Sequence, residues 1–519
     1  MTFMSLLWLD QGQLKGMLPS ALPDCFHDLC LDQVMATAVG ADPDLVSVFC
    51  NPPHEIETVV YRQEMFRDLA RGDIAACGRE FMLALRRSRT LADNARRSGN
   101  IWASRRWNLD AARAYAAALA TLHGTLTKAE PSSRAMKNLI DWLATTLAST
   151  RHQRLVREGD EIVEALNRVS YMVRVGEGVF TVLPSDHGLD YGRRIEATFA
   201  RFRQGDIQPL TFGYEEDVIF TNVEGKVLDF VAALNPEIFG KLDQYCREFG
   251  DYECETVRRL DYEFRFVMAW LDVIASLKTS GLSFCYPLLS ESCQEERVTD
   301  AFDIALALER AKKKAGPVVS NEFHLQGPER VLLVTGPNQG GKTTFARMIG
   351  QLHYLAKLGG PIPGQEARLF HVDHIFTHFE REENAHDLRS KLEDELVRIH
   401  KIIIDATSRS LVIMNESFSS TTMNDAMALC TTVLNTFLER GLICVCVTFL
   451  EKLATLSDHV ALMVSDVKKG HEDVRTYRIV RTRPDGRVYA MALARKYNVT
   501  GDDIRRRLAS QVRPRETGS

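Results

Sequence analysis

Residues 331–348, VLLVTGPNQGGKTTFARM, constrain the fold of this chain more than any other stretch. Five residues with no charge, mostly apolar, read as a strand covered on both faces, because a half-exposed strand would alternate. TTFARMIGQLHYLAKLG then has helical spacing. A fully covered strand leading into a helix belongs to an α/β layer structure with a mostly parallel sheet. Between the two lies G-x-x-x-x-G-K-T: Gly336, Pro337, Asn338, Gln339, Gly340, Gly341, Lys342 and Thr343, with Thr344 next in the helix. Such a loop curls backbone N–H groups around phosphates. Its lysine reaches the β- and γ-phosphates, and its Thr343 hydroxyl can ligate Mg²⁺. The helix aims its positive end at the same anion.

A second half of such a site lies at the end of a neighbouring strand. LVIM (411–414) is apolar at consecutive positions and runs into Asn415 and Glu416. Glu416 can orient or deprotonate a water attacking the γ-phosphate. Asn415 stands where an acidic metal partner is usual. Mg²⁺ keeps several waters, and an Asn carbonyl can accept a hydrogen bond from one of them without the negative charge. The expectation is weaker Mg²⁺ binding with hydrolysis retained.

Upstream the pattern is helical, with apolar residues three and four apart in ETVVYRQEMFRDLARG and LDAARAYAAALATLHGTL. YMVRVGEGVFTVLP alternates about a GEG turn and predicts a hairpin. The sequence therefore divides into an N-terminal segment 1–54, a helical region 55–168, a small β-containing insert 169–222, a second helical region 223–286, the α/β domain 287–510 and a disordered tail 511–519. The fold class is multidomain, α plus α/β. Net charge is -5, so nucleic acid or membrane would have to be met by a local patch. There is no run long and apolar enough to span a bilayer and no leader pattern. The eleven cysteines form no CxxC pair and read as free thiols. A cytoplasmic protein is expected.

In order and spacing, GPNQGGKTT, LGGPIPGQEARL, DHIFTHF, the segment from Ser390 to Glu395 and LVIMNESFSSTT resemble the ATPase domain of the MutS DNA mismatch repair family. The likeness covers residues 315–510; the helical region with its insert resembles that family's core and lever helices interrupted by a clamp, more loosely. It implies an ABC-type P-loop ATPase domain with ATP and Mg²⁺ as cofactors. It further implies Lys342 and Glu416 in catalysis, Thr343 and Asn415 at the metal, Asn321 beside the adenine, and Ser390 reaching nucleotide on the opposite subunit of a homodimer. Ser390 with Glu393 is also a capping box, a role compatible with the first. The chain departs from the family at Asn415, at Phe449 in place of a histidine, at Val318 in place of an aromatic stacked on adenine, and in the SFSSTT loop. The F-x-E wedge motif of mismatch readers does not occur in the first 300 residues, and residues 1–54 leave no room for the mismatch-reading domains. The expectation is a short MutS-related ATPase that acts on DNA structures rather than on single mismatches.

A DNA contact is read in LRRSRTLADNARRSGNIWASRRWNLDAAR, where Arg86, Arg87, Arg89, Arg96, Arg97, Arg105 and Arg106 interleave with Trp102 and Trp107. That composition suits phosphate contact and base stacking. It equally suits a solvated arginine face with both tryptophans in a core. Two rival functions stay open. One is a nucleotide-dependent protein-interaction module with slow or no turnover and no direct DNA role. The other is an ATPase with a different cargo.

Overall fold

The structure is a computed structural model, and it describes residues 3, 5–9, 22–176, 179–185, 222–380, 391–468, 471–482 and 505. The chain divides into two compact units, Met1–Leu6 with Asp68–Phe264, and Leu7–Arg67 with Arg265–Ser519. The division runs through two helices, Ile56–Leu69 and Glu255–Lys278.

The first unit is helical. Helices α1 (Gly72–Arg97) and α2 (Ile101–Ala129) pack along one another, joined by Ser98, Gly99 and Asn100. Asn100 caps α2 by accepting from the Trp102 and Ala103 N–H groups, at 2.9 and 3.1 Å. Ser133 and Ser149 cap α3 (Arg134–Ala148) and α4 (Thr150–Asn167) in the same way. Each cap satisfies an N–H that the helix itself leaves unpaired. The apolar faces of α2, α4, α5 (Asn222–Leu234) and α6 (Pro236–Phe249) meet in a core of Leu109, Ala116, Leu155, Ile162, Leu242 and Phe249. The expected hairpin is present: β1 (Tyr171–Gly176) pairs antiparallel with β2 (Val179–Pro184), Gly176 opposite Val179. Residues 186–221 of the insert, and the tail 511–519, lie outside the described residues.

Among the described residues the second unit holds three sheets, the smallest a two-residue antiparallel pairing of Phe284–Cys285 with Ile362–Pro363. A four-stranded sheet runs β3 (Leu288–Ser290), β7 (Glu366–Phe370), β4 (Glu296–Ala301), β5 (Asn321–Leu325). A six-stranded sheet runs β8 (Ile375–Phe379), β9 (Leu411–Asn415), β10 (Ile443–Val447), β6 (Val331–Thr335), β11 (Val460–Lys468), β12 (His471–Arg481). Its first five strands are parallel and β12 is antiparallel, which is the mostly parallel sheet read from the sequence. Helices α7 (Lys342–Leu358), α8 (Lys391–Asp405) and α9 (Met423–Arg440) belong to this unit. One face of the sheet packs on a core that includes Val412, Met414, Cys444, Cys446, Phe418, Leu434 and Phe437. Phe345, Ile349 and Leu352 of α7 are likewise buried. This burial of β6, β9 and β10 on both faces explains their uninterrupted apolar runs. No described helix is long and apolar enough to cross a membrane.

Candidate functional site: a phosphate loop facing a strand-end carboxylate

The carboxyl ends of β6, β9, β10 and β11 converge where the 336–343 loop turns into α7. The loop is tight because its glycines face Ser465 on β11. A Cβ on Gly336, whose φ is +125°, would lie 2.9 Å from the Ser465 Cβ. One on Gly340 would overlap the Ser465 hydroxyl and stand 3.0 Å from the Pro337 carbonyl. The Ser465 hydroxyl donates to the Gly340 carbonyl at 2.8 Å and holds the loop shut. Gly341 supplies the left-handed N-cap of α7 at φ +91°, a conformation that favours glycine. No sequence motif marks Ser465, which lies 125 residues along the chain from its partner.

Lys342 is buried, and its Nζ donates to the Gly336 carbonyl at 2.9 Å, to Pro337 at 3.3 Å and to the Asn338 side chain at 3.4 Å. Burial pushes its pKa below the ordinary lysine value, and the Glu416 carboxylate, 3.9 Å away, opposes that shift. The ammonium also sits 4.4 Å from the centre of the Phe449 ring, a cation–π contact. Phe449 is thus packed at the site where the resemblance implied a histidine. The Thr343 hydroxyl donates to the Asn415 side-chain oxygen at 3.1 Å, bringing the two candidate metal ligands together. Glu416 follows Asn415 in a left-handed conformation at φ +54°, with its N–H bound to the Val447 carbonyl at 2.9 Å.

The remaining candidates are placed as follows. Asn338 and Gln339 are exposed at the loop tip, and Thr344 is half-buried in the first turn of α7. Asn321 spends both ends of its amide on β12: Nδ2 donates to the Tyr477 carbonyl at 3.3 Å, and Oδ1 accepts from the Ile479 N–H at 2.7 Å. As it stands it ties two sheets together. Ser390 lies outside the described residues.

The arginine stretch is mixed. Arg89 bonds Glu253 and Asp261, each at 2.6 Å, while Arg105 bonds Asp243 and Arg106 bonds Asp110, both at 2.8 Å. Arg96 pairs with Asp93 at 2.6 Å. Arg86, Arg87 and Arg97 are exposed. Trp102 meets Phe239 edge-on at 5.2 Å against the core of the first unit. Trp107 lines a cavity of about 570 Å³ between α2, α5 and α6.

With this geometry in view, comparison with known proteins is specific. Residues 332–509 match the model of MutS domain V. The C-terminal domain belongs to the MutS family. The chain is 27% identical over 305 residues to the DNA mismatch repair protein MutS of Chlorobium phaeovibrioides, covering 57% of this chain and 33% of that protein. Against the Endonuclease MutS2 of Thermus thermophilus it is 30% identical over 190 residues, covering 36% of this chain and 25% of that protein. Against the MutS of Thermotoga petrophila it is 23% identical over 326 residues, covering 59% and 38%. The matched part of the chain thus spans between a quarter and two-fifths of these relatives' own length.

Proposed function

We propose that this MutS-family chain binds ATP with Mg²⁺ at residues 336–343, hydrolyses it with Glu416, and as a homodimer couples nucleotide state to the binding of DNA structures in repair or recombination. One observation carries the hydrolytic reading. The Thr343 and Asn415 oxygens stand 3.1 Å apart, with Lys342 and Glu416 3.9 Å apart beside them. Two segments remote in sequence thereby contribute hydroxyl, amide, ammonium and carboxylate to one place.

The residues present fit both groups. Gly336 and Gly340 leave a cradle that a Cβ would fill. Thr343 offers a hard hydroxyl oxygen, as Mg²⁺ requires, and the neutral Asn415 amide oxygen can accept a hydrogen bond from one of the waters that the ion would keep. Held beside Thr343 and Asn415, Mg²⁺ would supply neutralisation of the charge on the β- and γ-phosphates. Within the chain, Lys342 exchanges its contacts to the Gly336 and Pro337 carbonyls for phosphate oxygens, and N–H groups at the start of α7 face the same anion. Glu416 accepts a hydrogen bond from the attacking water and so directs its lone pair toward the γ-phosphorus.

Restoring the charge at position 415 tests the metal assignment. Asn415→Asp is expected to lower the Mg²⁺ concentration needed for half-maximal turnover by about tenfold, in line with a carboxylate replacing a neutral donor. An unchanged Mg²⁺ titration removes position 415 from the metal's surroundings. The DNA role rests on the family relationship and on the exposed Arg86, Arg87 and Arg97. Binding of duplex, forked and single-stranded DNA at low salt, with and without ATP, tests it. An affinity that ATP alters supports it; no binding under any condition favours a nucleotide-dependent protein-interaction module.

A further inference from the structure

Glu416 is carried on an unusual turn. Both Glu416 and Phe418 are left-handed, at φ +54° and +62°, and neither is glycine. Non-glycine residues hold such conformations only where their surroundings impose them. The surroundings here are two buried polar side chains from other elements. Glu395, on the second turn of α8, accepts the Phe418 N–H at 2.8 Å. His378, near the end of β8, lies 2.7 Å by Nδ1 from the Ser417 hydroxyl and 3.3 Å by Nε2 from the Glu395 carbonyl.

The protons on this network can be assigned. Burial, with Arg398 nearby, pushes the His378 pKa down to about 4, so the ring is neutral and carries one N–H. The Glu395 carbonyl can only accept, so Nε2 bears the proton and Nδ1 accepts from Ser417. The His378 and Phe418 rings also meet, with centroids 6.2 Å apart and planes tilted by 36°. A second tie runs in parallel: Glu380, the residue after β8, accepts from Ser419 at 3.4 Å and pairs with Lys391 at the start of α8.

We propose that Glu395 and His378 are positioning residues which lock the turn of residues 416–418, so that the seat of helix α8 sets where the Glu416 carboxylate points. Neither side chain needs to touch nucleotide. The inference rests on the assignment of Glu416 to the hydrolytic step, and it assigns to these two residues a role in that step alone. Loss of the Glu395 acceptor strands the buried Phe418 N–H and releases the turn, while the 336–343 loop, held by Ser465, stays formed. The expected signature is a change in kcat without a change in ATP binding.

The experiment measures kcat and KM for MgATP, nucleotide affinity and thermal unfolding for the full chain, Glu416→Gln, Glu395→Ala, Glu395→Gln and His378→Ala. Glu395→Ala is expected to lower kcat by about 10- to 100-fold, the scale of a misplaced catalytic group, with ATP affinity within about twofold of wild type. Glu395→Gln keeps an oxygen acceptor for Phe418 and is expected to retain most of the rate. His378→Ala is expected to fall between them, and it carries the test if Glu395→Ala does not fold. A folded Glu395→Ala or His378→Ala with wild-type kcat overturns the lock, as does a loss of ATP affinity equal to the loss of rate. If the wild type and Glu416→Gln hydrolyse alike, the assignment of Glu416 itself has failed.

Discussion

Glu416→Gln is expected to bind ATP about as tightly as the wild type and to release phosphate about 10²- to 10⁴-fold more slowly, the range a positioned general base supplies. The substitution keeps shape and hydrogen-bonding reach but removes the negative charge that draws a proton from water. Binding persists because the loop of residues 336–343 is built without Glu416: its closure depends on Ser465 and on its own glycines. A modest rise in ATP affinity is also expected. Glu416 stands 3.9 Å from Lys342, and its charge repels a polyphosphate as it holds the lysine. Nucleotide binding measured beside single-turnover hydrolysis separates the two effects. Equal turnover in both proteins would remove Glu416 from the chemistry.

The second large effect is at Lys342. Lys342→Ala is expected to weaken ATP binding by about 10²-fold or more, since charge-assisted hydrogen bonds contribute roughly 1.5–3 kcal/mol each and this ammonium can make more than one to the phosphates. The substitution also strands the Gly336 and Pro337 carbonyls that the ammonium now satisfies. Lys342→Met puts an uncharged side chain of similar length beside the Phe449 ring that the ammonium now faces, and separates loss of charge from loss of packing. Both variants are expected to lose binding alike if charge dominates. Full affinity in Lys342→Met would mean that the loop does not hold phosphate.

The chemistry of the site was legible in the sequence wherever it is local. The glycine spacing, the lysine and the threonine fall within eight consecutive residues, and LVIM announced the strand that carries Asn415 and Glu416. The hairpin about Gly176 was equally plain, since alternation and a tight turn are short-range signals. The supports were not legible. Ser465, His378 and Glu395 act on the site from β11, β8 and α8, and each reads in sequence as an ordinary strand or helix residue. Only the strand order, which places β6 between β10 and β11, brings Ser465 to the loop. The arginine stretch shows the converse limit. Its charge was visible, but the carboxylates that engage Arg89 and Arg105 come from residues 243–261.

Phosphate release from ATP by the purified chain, measured with Mg²⁺ and with the ion chelated, tests most directly that these two motifs form one hydrolytic site. Release is expected to require Mg²⁺ and to fall by about 10²- to 10⁴-fold in Glu416→Gln. ATP binding with no Mg²⁺-dependent release above background would contradict it.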